Sequence, residues 1–198
     1  APMKNAQDVV DTDLAYICGN LKEEFSAIAG KDLLIVGGAG FLGYYLVQSA
    51  LHYNRGAAKP IHVTVYDNYV RGVPQWLDDL SNDPNLTLVR HDITRPLPAD
   101  MPDFSYIMHG GSIASPTYYR QYPIETMDAN VNGLRNLLDY AKGQKDAGKP
   151  LDGFVFFSSS EIYGDPTPES IPTPEDYRGY VSCTGPRACY DESKRYGE

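Results

Sequence analysis

The chain has 198 residues, a formal net charge of −9, 42% hydrophobic residues and 22% charged residues, enough for one substantial core. The acidic balance argues against a broad electrostatic grip on nucleic acid or on an anionic membrane. No apolar run approaches the roughly 20 residues that cross a bilayer, so a soluble protein without a membrane partner is expected.

In chain order, residues 1–30 carry Leu14, Ile17, Leu21, Phe25 and Ile28 at weak helical spacing, which predicts an N-terminal helical extension beside the main domain. Five short apolar runs then read as buried strands: 33–36, 61–66, 86–89, 106–108 and 154–157. The intervening stretches 41–53 and 124–145 have helical length and periodicity, and 74–80 predicts a shorter helix. This alternation predicts an α/β fold of the Rossmann type, a doubly wound parallel sheet over residues 31–198. Residues 164–186, dense in Pro, Thr, Glu and Tyr, read as a long loop over the sheet edge. The sequence stops four residues after Lys194, inside what reads as a helix, so a partial polypeptide is expected.

Gly37, Gly40 and Gly43 directly follow the first strand and open a helix at Phe41 and Leu42. Backbone amides and the positive helix end can there meet a pyrophosphate. Asp67, with Asn68 beside it, follows the second strand, where a carboxylate accepts hydrogen bonds from an adenosine ribose and repels an NADP 2′-phosphate. NAD is the expected cofactor, although Arg71 could offset that repulsion. Asp92-Ile93 and Gly110-Gly111-Ser112 each follow a strand, which puts them at the carboxyl edge where open α/β sheets bind ligands.

Tyr190 and Lys194 are four apart, hence on one face of a helix. A phenol is a poor base at neutral pH, and a neighbouring ammonium favours its phenolate. The pair with the glycine loop points to redox chemistry on a hydroxyl, Tyr190 taking the proton. His52, His62, His91 and His109 have no metal-ligand spacing and read as structural or solvent-facing; Cys18, Cys183 and Cys189 form no metal pattern, so no metal is expected and a reducing cytoplasm fits best.

These motifs resemble the extended short-chain dehydrogenase/reductase family, whose pattern joins a glycine triplet of this spacing to Tyr-x-x-x-Lys. The resemblance covers about residues 31–198. The segments 109–116 (HGGSIASP), 158–165 (SSSEIYGD) and 185–195 (GPRACYDESKR) look most like the branch that decarboxylates UDP-glucuronate. Related 4,6-dehydratases carry an Asp-Glu pair where this chain has Ser160-Glu161, and simple 4-epimerases lack the acid. The resemblance implies Ser159 as catalytic hydroxyl, Tyr190 as base, Lys194 as activating lysine, Glu161 as an acid near sugar C5, and Gly111 beside the cofactor. It also implies nucleotide-sugar contacts from Ser112, Tyr119, Arg120, Glu161 and Arg187, and a homodimer. Family members continue well past this length into a lobe that holds the nucleotide sugar and is absent here, so this chain alone is expected to turn over poorly. Val36 and Gly110-Gly111 depart from the usual Thr and Leu-Ala, which leaves open a cofactor-binding module without catalysis.

Overall fold

The computed structural model describes residues 5–198. The elements run α1 (Ala6–Asn20), α2 (Lys22–Ile28), β1 (Asp32–Val36), α3 (Phe41–Asn54), β2 (His62–Asp67), α4 (Gln75–Asp78), β3 (Leu86–Arg90), β4 (Tyr106–His109), α5 (Pro116–Gln121), α6 (Pro123–Met127), a π-helical turn (Asp128–Asn132), α7 (Gly133–Asp146), β5 (Gly153–Phe156) and α8 (Ala188–Gly197).

The five strands form one parallel sheet in the order β3-β2-β1-β4-β5. Because side chains alternate along a strand, the continuous apolar run of β1 feeds two cores at once. Leu33 and Ile35 join Val47, Leu51, Val63, Val65 and Leu77 on one face, beneath α3 and α4. Leu34 and Val36 join Tyr66, Phe104, Ile107 and Leu137 on the other, beneath α7. Helices on both faces make the fold the doubly wound Rossmann type. Strand order reverses between β1 and β4, and the crevice at their carboxyl ends is where such sheets take ligands.

The structure departs from the sequence reading in three places. The N-terminal apolar spacing is carried by two helices, which break at Leu21, where the backbone has left the helical region (φ −108°, ψ 39°). They dock on α3 through the Tyr45 hydroxyl, which donates to Asp13 Oδ2 at 2.5 Å, and through a Phe25–Tyr53 ring stack. Residues 1–4 of the expected extension lie outside the described residues. The expected helix over 124–145 is interrupted by the π turn at Asp128–Asn132. The segment before it forms α5, started by Pro116, which suits a first helical turn that needs no N–H donor. Among the described residues no helix is long and apolar enough to cross a membrane.

Candidate active site

The glycine loop is built from close backbone approach. Gly37 has φ +79° and donates its N–H to Tyr66 O at 2.8 Å. A Cβ there would lie 2.7 Å from Gly111 Cα and N, so the turns after β1 and β4 meet main chain to main chain across the switch point. At Gly43 a Cβ would lie 2.0 Å from Gly38 O, which is how α3 packs tightly on the loop it follows. Gly40 is the N-cap of α3, so the first-turn amides, at Phe41 and Leu42, have no intrahelical acceptor. The side chains of Phe41 and Leu42 are exposed, leaving main chain as what they offer a diphosphate. A cradle that Cβ atoms would fill fits NAD.

Asp67 does more than the sequence suggested. Its Oδ2 accepts from Ala39 N at 3.1 Å and its Oδ1 from Tyr69 N at 2.9 Å, so it fixes the glycine loop while each oxygen retains a further lone pair for a ribose. Arg71, the group that could have favoured NADP, stacks on the Tyr118 ring at 4.7 Å. Asn68 Oδ1 accepts from Val70 N, and Asp92 Oδ1 accepts from Thr94 N and Oγ1, so both side chains shape their own turns. Ile93 is buried, and its carbonyl accepts from Asn136 Nδ2 at 2.8 Å, which ties this turn to α7. An adjoining cavity of about 420 Å³ is lined by Ala39, Gly40, Phe41, Tyr44, Tyr45 and Trp76.

On the other side of the crevice, α8 delivers Tyr190 and Lys194, both buried. The Lys194 ammonium donates to Phe157 O just past β5, and lies 4.8 Å from the Phe156 ring centroid and 5.9 Å from that of Tyr190. The expected placement beneath the phenol is therefore shared with the strand end, because a buried ammonium needs an acceptor. Burial lowers the Lys194 pKa from 10.5 to about 8. Tyr190 stacks on Tyr119 with ring centroids 5.0 Å apart. Contact from α8 to the glycine loop runs through Phe157, whose ring faces Gly110, and then through the Gly111–Gly37 approach.

Ser159 caps a 3-10 turn over Ser160–Tyr163, its hydroxyl accepting from Glu161 N at 3.3 Å. Glu161 Oε2 is paired with Arg187 Nη2, and Arg187 Nε also approaches Asp191 Oδ2 at 3.6 Å. The structure thus brings two expected substrate residues together as an ion pair. Ser112 Oγ and the Tyr119 hydroxyl are buried without a hydrogen-bond partner. Burial raises the Tyr119 pKa, with Arg187 opposing. Arg120 is exposed on α5, and none of the described ion pairs includes it. Among the described residues no cluster of three or more His, Cys, Asp or Glu is arranged to hold a metal ion.

Three further residues belong to this centre. Asn130, fully buried in the π turn, donates from Nδ2 to Ser193 Oγ at 2.9 Å, and Ser193 Oγ in turn donates to Tyr190 O at 3.0 Å. A π turn inserted at a helix boundary often marks a functional site, and this one is tied to α8 by the Asn130–Ser193 bond. His109, at the end of β4, is buried, and neither ring nitrogen has a hydrogen bond of normal geometry. Its pKa is lowered from 6.5 to about 4, first by burial and then by the Lys194 charge, with the Ala129 backbone opposing. Asp191 is the third, through Arg187.

Comparison with known proteins returns the family described as "NAD dependent epimerase/dehydratase family" over residues 33–198. UDP-glucuronic acid decarboxylase 3 of Arabidopsis thaliana is 38% identical over 166 residues, covering 84% of this chain and 44% of the relative. UDP-glucuronic acid decarboxylase 1 of Danio rerio is 39% identical over 168 residues, 85% of this chain and 36% of the relative. The chain thus spans less than half the length of these curated relatives. Among solved structures, a UDP-N-acetylglucosamine 4-epimerase from Methanobrevibacter ruminantium M1 superposes with a TM-score of 0.67 at 24% identity, covering 86% of this chain and 49% of that one, a likeness of fold.

Proposed function

The chain belongs to the NAD dependent epimerase/dehydratase family, and from that membership we propose that the full-length protein converts UDP-glucuronate to UDP-xylose and carbon dioxide through a 4-keto intermediate. The observation that carries this reading is the identity of about 38% to curated relatives named as UDP-glucuronic acid decarboxylases. Residues 31–198 are the NAD-binding domain in this reading and 1–30 an extension of it. A homodimer in the cytoplasm belongs to the same proposal.

NAD would be held by the backbone at Gly37, Gly40, Phe41, Leu42, Gly43 and Gly111 and by Asp67, and when bound it supplies hydride acceptance and return at C4. Tyr190, with Ser159 hydrogen-bonding the same oxygen, takes the proton from the C4 hydroxyl as hydride leaves that carbon. The C6 carboxylate is then β to a ketone. The C5–C6 bond breaks, carbon dioxide departs, and the electron pair is held as the C4 enolate; a proton added at C5 restores the ketone. Tyr190 returns its proton to the C4 oxygen as hydride is restored, so no net oxidation occurs. Glu161, on the turn after β5, is the group assigned to the C5 side. Lys194 supplies positive charge beside the phenol ring.

Incubating the full-length protein with UDP-glucuronate and NAD should release carbon dioxide and a nucleotide pentose. A second reading, a 4-epimerase or 4,6-dehydratase, rests on the matching family, whose description names epimerases and dehydratases. Product mass separates the three: loss of carbon dioxide, no change, or loss of water. Ser159→Ala and Tyr190→Phe should each cost on the order of 10²–10⁴ in kcat. Full activity in either variant would mean that catalysis does not run through these residues, whereas a wild type that binds NAD and turns over no nucleotide sugar would leave the reading as a cofactor-binding module.

A further inference from the structure

We propose that Asp191 is a positioning residue that acts through Arg187 on Glu161, so that the carboxylate after β5 and the phenol on α8 are aimed as one unit; this rests on the decarboxylase reading. Arg187 is the residue before α8, and Asp191 lies one turn further along that helix, its Oδ2 at 3.6 Å from Arg187 Nε. The neighbouring Nη2 of the same guanidinium reaches Glu161, which sits on a separate element after β5. A guanidinium is a rigid planar fork, so holding its Nε fixes where its Nη2 points.

The exposures divide the labour. Arg187 and Glu161 side chains are 42% and 39% exposed, whereas Asp191 is 16% exposed. An exposed pair alone is worth little, because two long side chains must be ordered against solvent. Asp191 supplies the withdrawn anchor. Its Oδ1 is buried without a hydrogen-bond partner, and the ion pair with Arg187 is the contact described for its Oδ2. The charged and titratable groups around it are Arg187, Glu161, Glu192, Tyr119 and Cys189. Asp191 also follows Tyr190 directly in sequence, and so joins the Glu161 arm to the helix that carries the base.

In the proposed reaction, Tyr190 serves the C4 hydroxyl and Glu161 the C5 side. Loosening Glu161 should leave C4 oxidation running while the steps after loss of carbon dioxide fall behind, so that the 4-keto pentose escapes. The test compares full-length wild type, Asp191→Asn and Asp191→Glu. With UDP-glucuronate and NAD, Asp191→Asn should lower kcat by about 10- to 100-fold with little change in KM. It should also raise the share of product released as the 4-keto sugar, read by mass spectrometry, and Asp191→Glu should restore the wild-type ratio. A second measurement needs no turnover: carbodiimide labelling of Glu161, read on its peptide, should be faster in Asp191→Asn than in wild type at equal melting temperature. An unchanged keto fraction together with unchanged Glu161 labelling overturns the proposal, as does a loss of kcat that merely follows lost folding. Wild type that releases no carbon dioxide rejects the substrate reading instead, and the labelling still decides the role of Asp191.

Discussion

Tyr119 lies face to face with Tyr190, the ring centroids 5.0 Å apart and the planes inclined by only 13°. Tyr119 is 1% exposed and its hydroxyl has no partner, so packing, not hydrogen bonding, is what it gives the unliganded protein. Tyr119→Ala should destabilise by about 3–5 kcal/mol through the void it leaves. Tyr119→Phe should be neutral or slightly stabilising, because it removes a buried unpaired hydroxyl. Urea denaturation of both variants checks this, and a raised KM for the nucleotide sugar in Tyr119→Phe alone would reveal a substrate bond.

Lys194 is a site where stability and activity pull apart. Its pKa falls from 10.5 to about 8 in the folded chain because burial penalises the ammonium. The unfolded chain therefore binds more protons between these values, so the cost is fully present below about pH 8 and fades as pH rises toward 10.5. Lys194→Met should be more stable at pH 7 by about 1–2 kcal/mol, after allowing for the lost bond to Phe157 O, and inactive. Its stability advantage should shrink in alkaline solution, which thermal melts across that range would follow.

His109 has the same sign at lower pH. Burial holds its folded pKa at about 4 against 6.5 unfolded, so the stability it permits is complete above about pH 6.5 and is lost as pH falls toward 4. The amount is about 3 kcal/mol. His109→Leu should flatten the acid limb of the stability curve, measured by urea denaturation at neutral pH and near pH 4.5. In Lys194→Met, where the opposing charge is gone, the His109 transition should move up in pH.

Asn130 and Ser193 tie the π turn to α8 by a buried bond of 2.9 Å. Asn130→Ala should cost about 1–3 kcal/mol, since Ser193 is left buried with one partner fewer. In a double-mutant cycle with Ser193→Ala, the two losses should fall short of additivity by roughly 0.5–3 kcal/mol. Strict additivity would mean that the bond does not hold α8.

All five strands were legible because each is a short apolar run bounded by polar or turn residues, and a parallel sheet buries such runs on both faces. The glycine loop was legible because tight turns demand glycine where a side chain would strike backbone, as at Gly37 and Gly43. The π turn was not, because it interrupts a stretch whose periodicity is helical throughout, and its partner Ser193 lies 63 residues further along the chain. Nor was the Glu161–Arg187 pair, whose members are 26 residues apart and on different elements. Sequence named both as substrate contacts, but only three-dimensional proximity shows them spending charge on one another. Asp67 was read for what it could offer a ribose, and its grip on Ala39 N was invisible without the fold.

The approach of Gly37 to Gly111 has an implication for mutability. Proline aside, a diphosphate seated at that seam would be gripped by main-chain groups that every residue possesses, so no other nearby replacement can delete the grip by removing a functional group. It can only be obstructed, by adding bulk. Variants that impair dinucleotide affinity at Gly37 and Gly111 should therefore be gains of side-chain volume, while truncating the exposed Phe41 or Leu42 to alanine passes almost unnoticed.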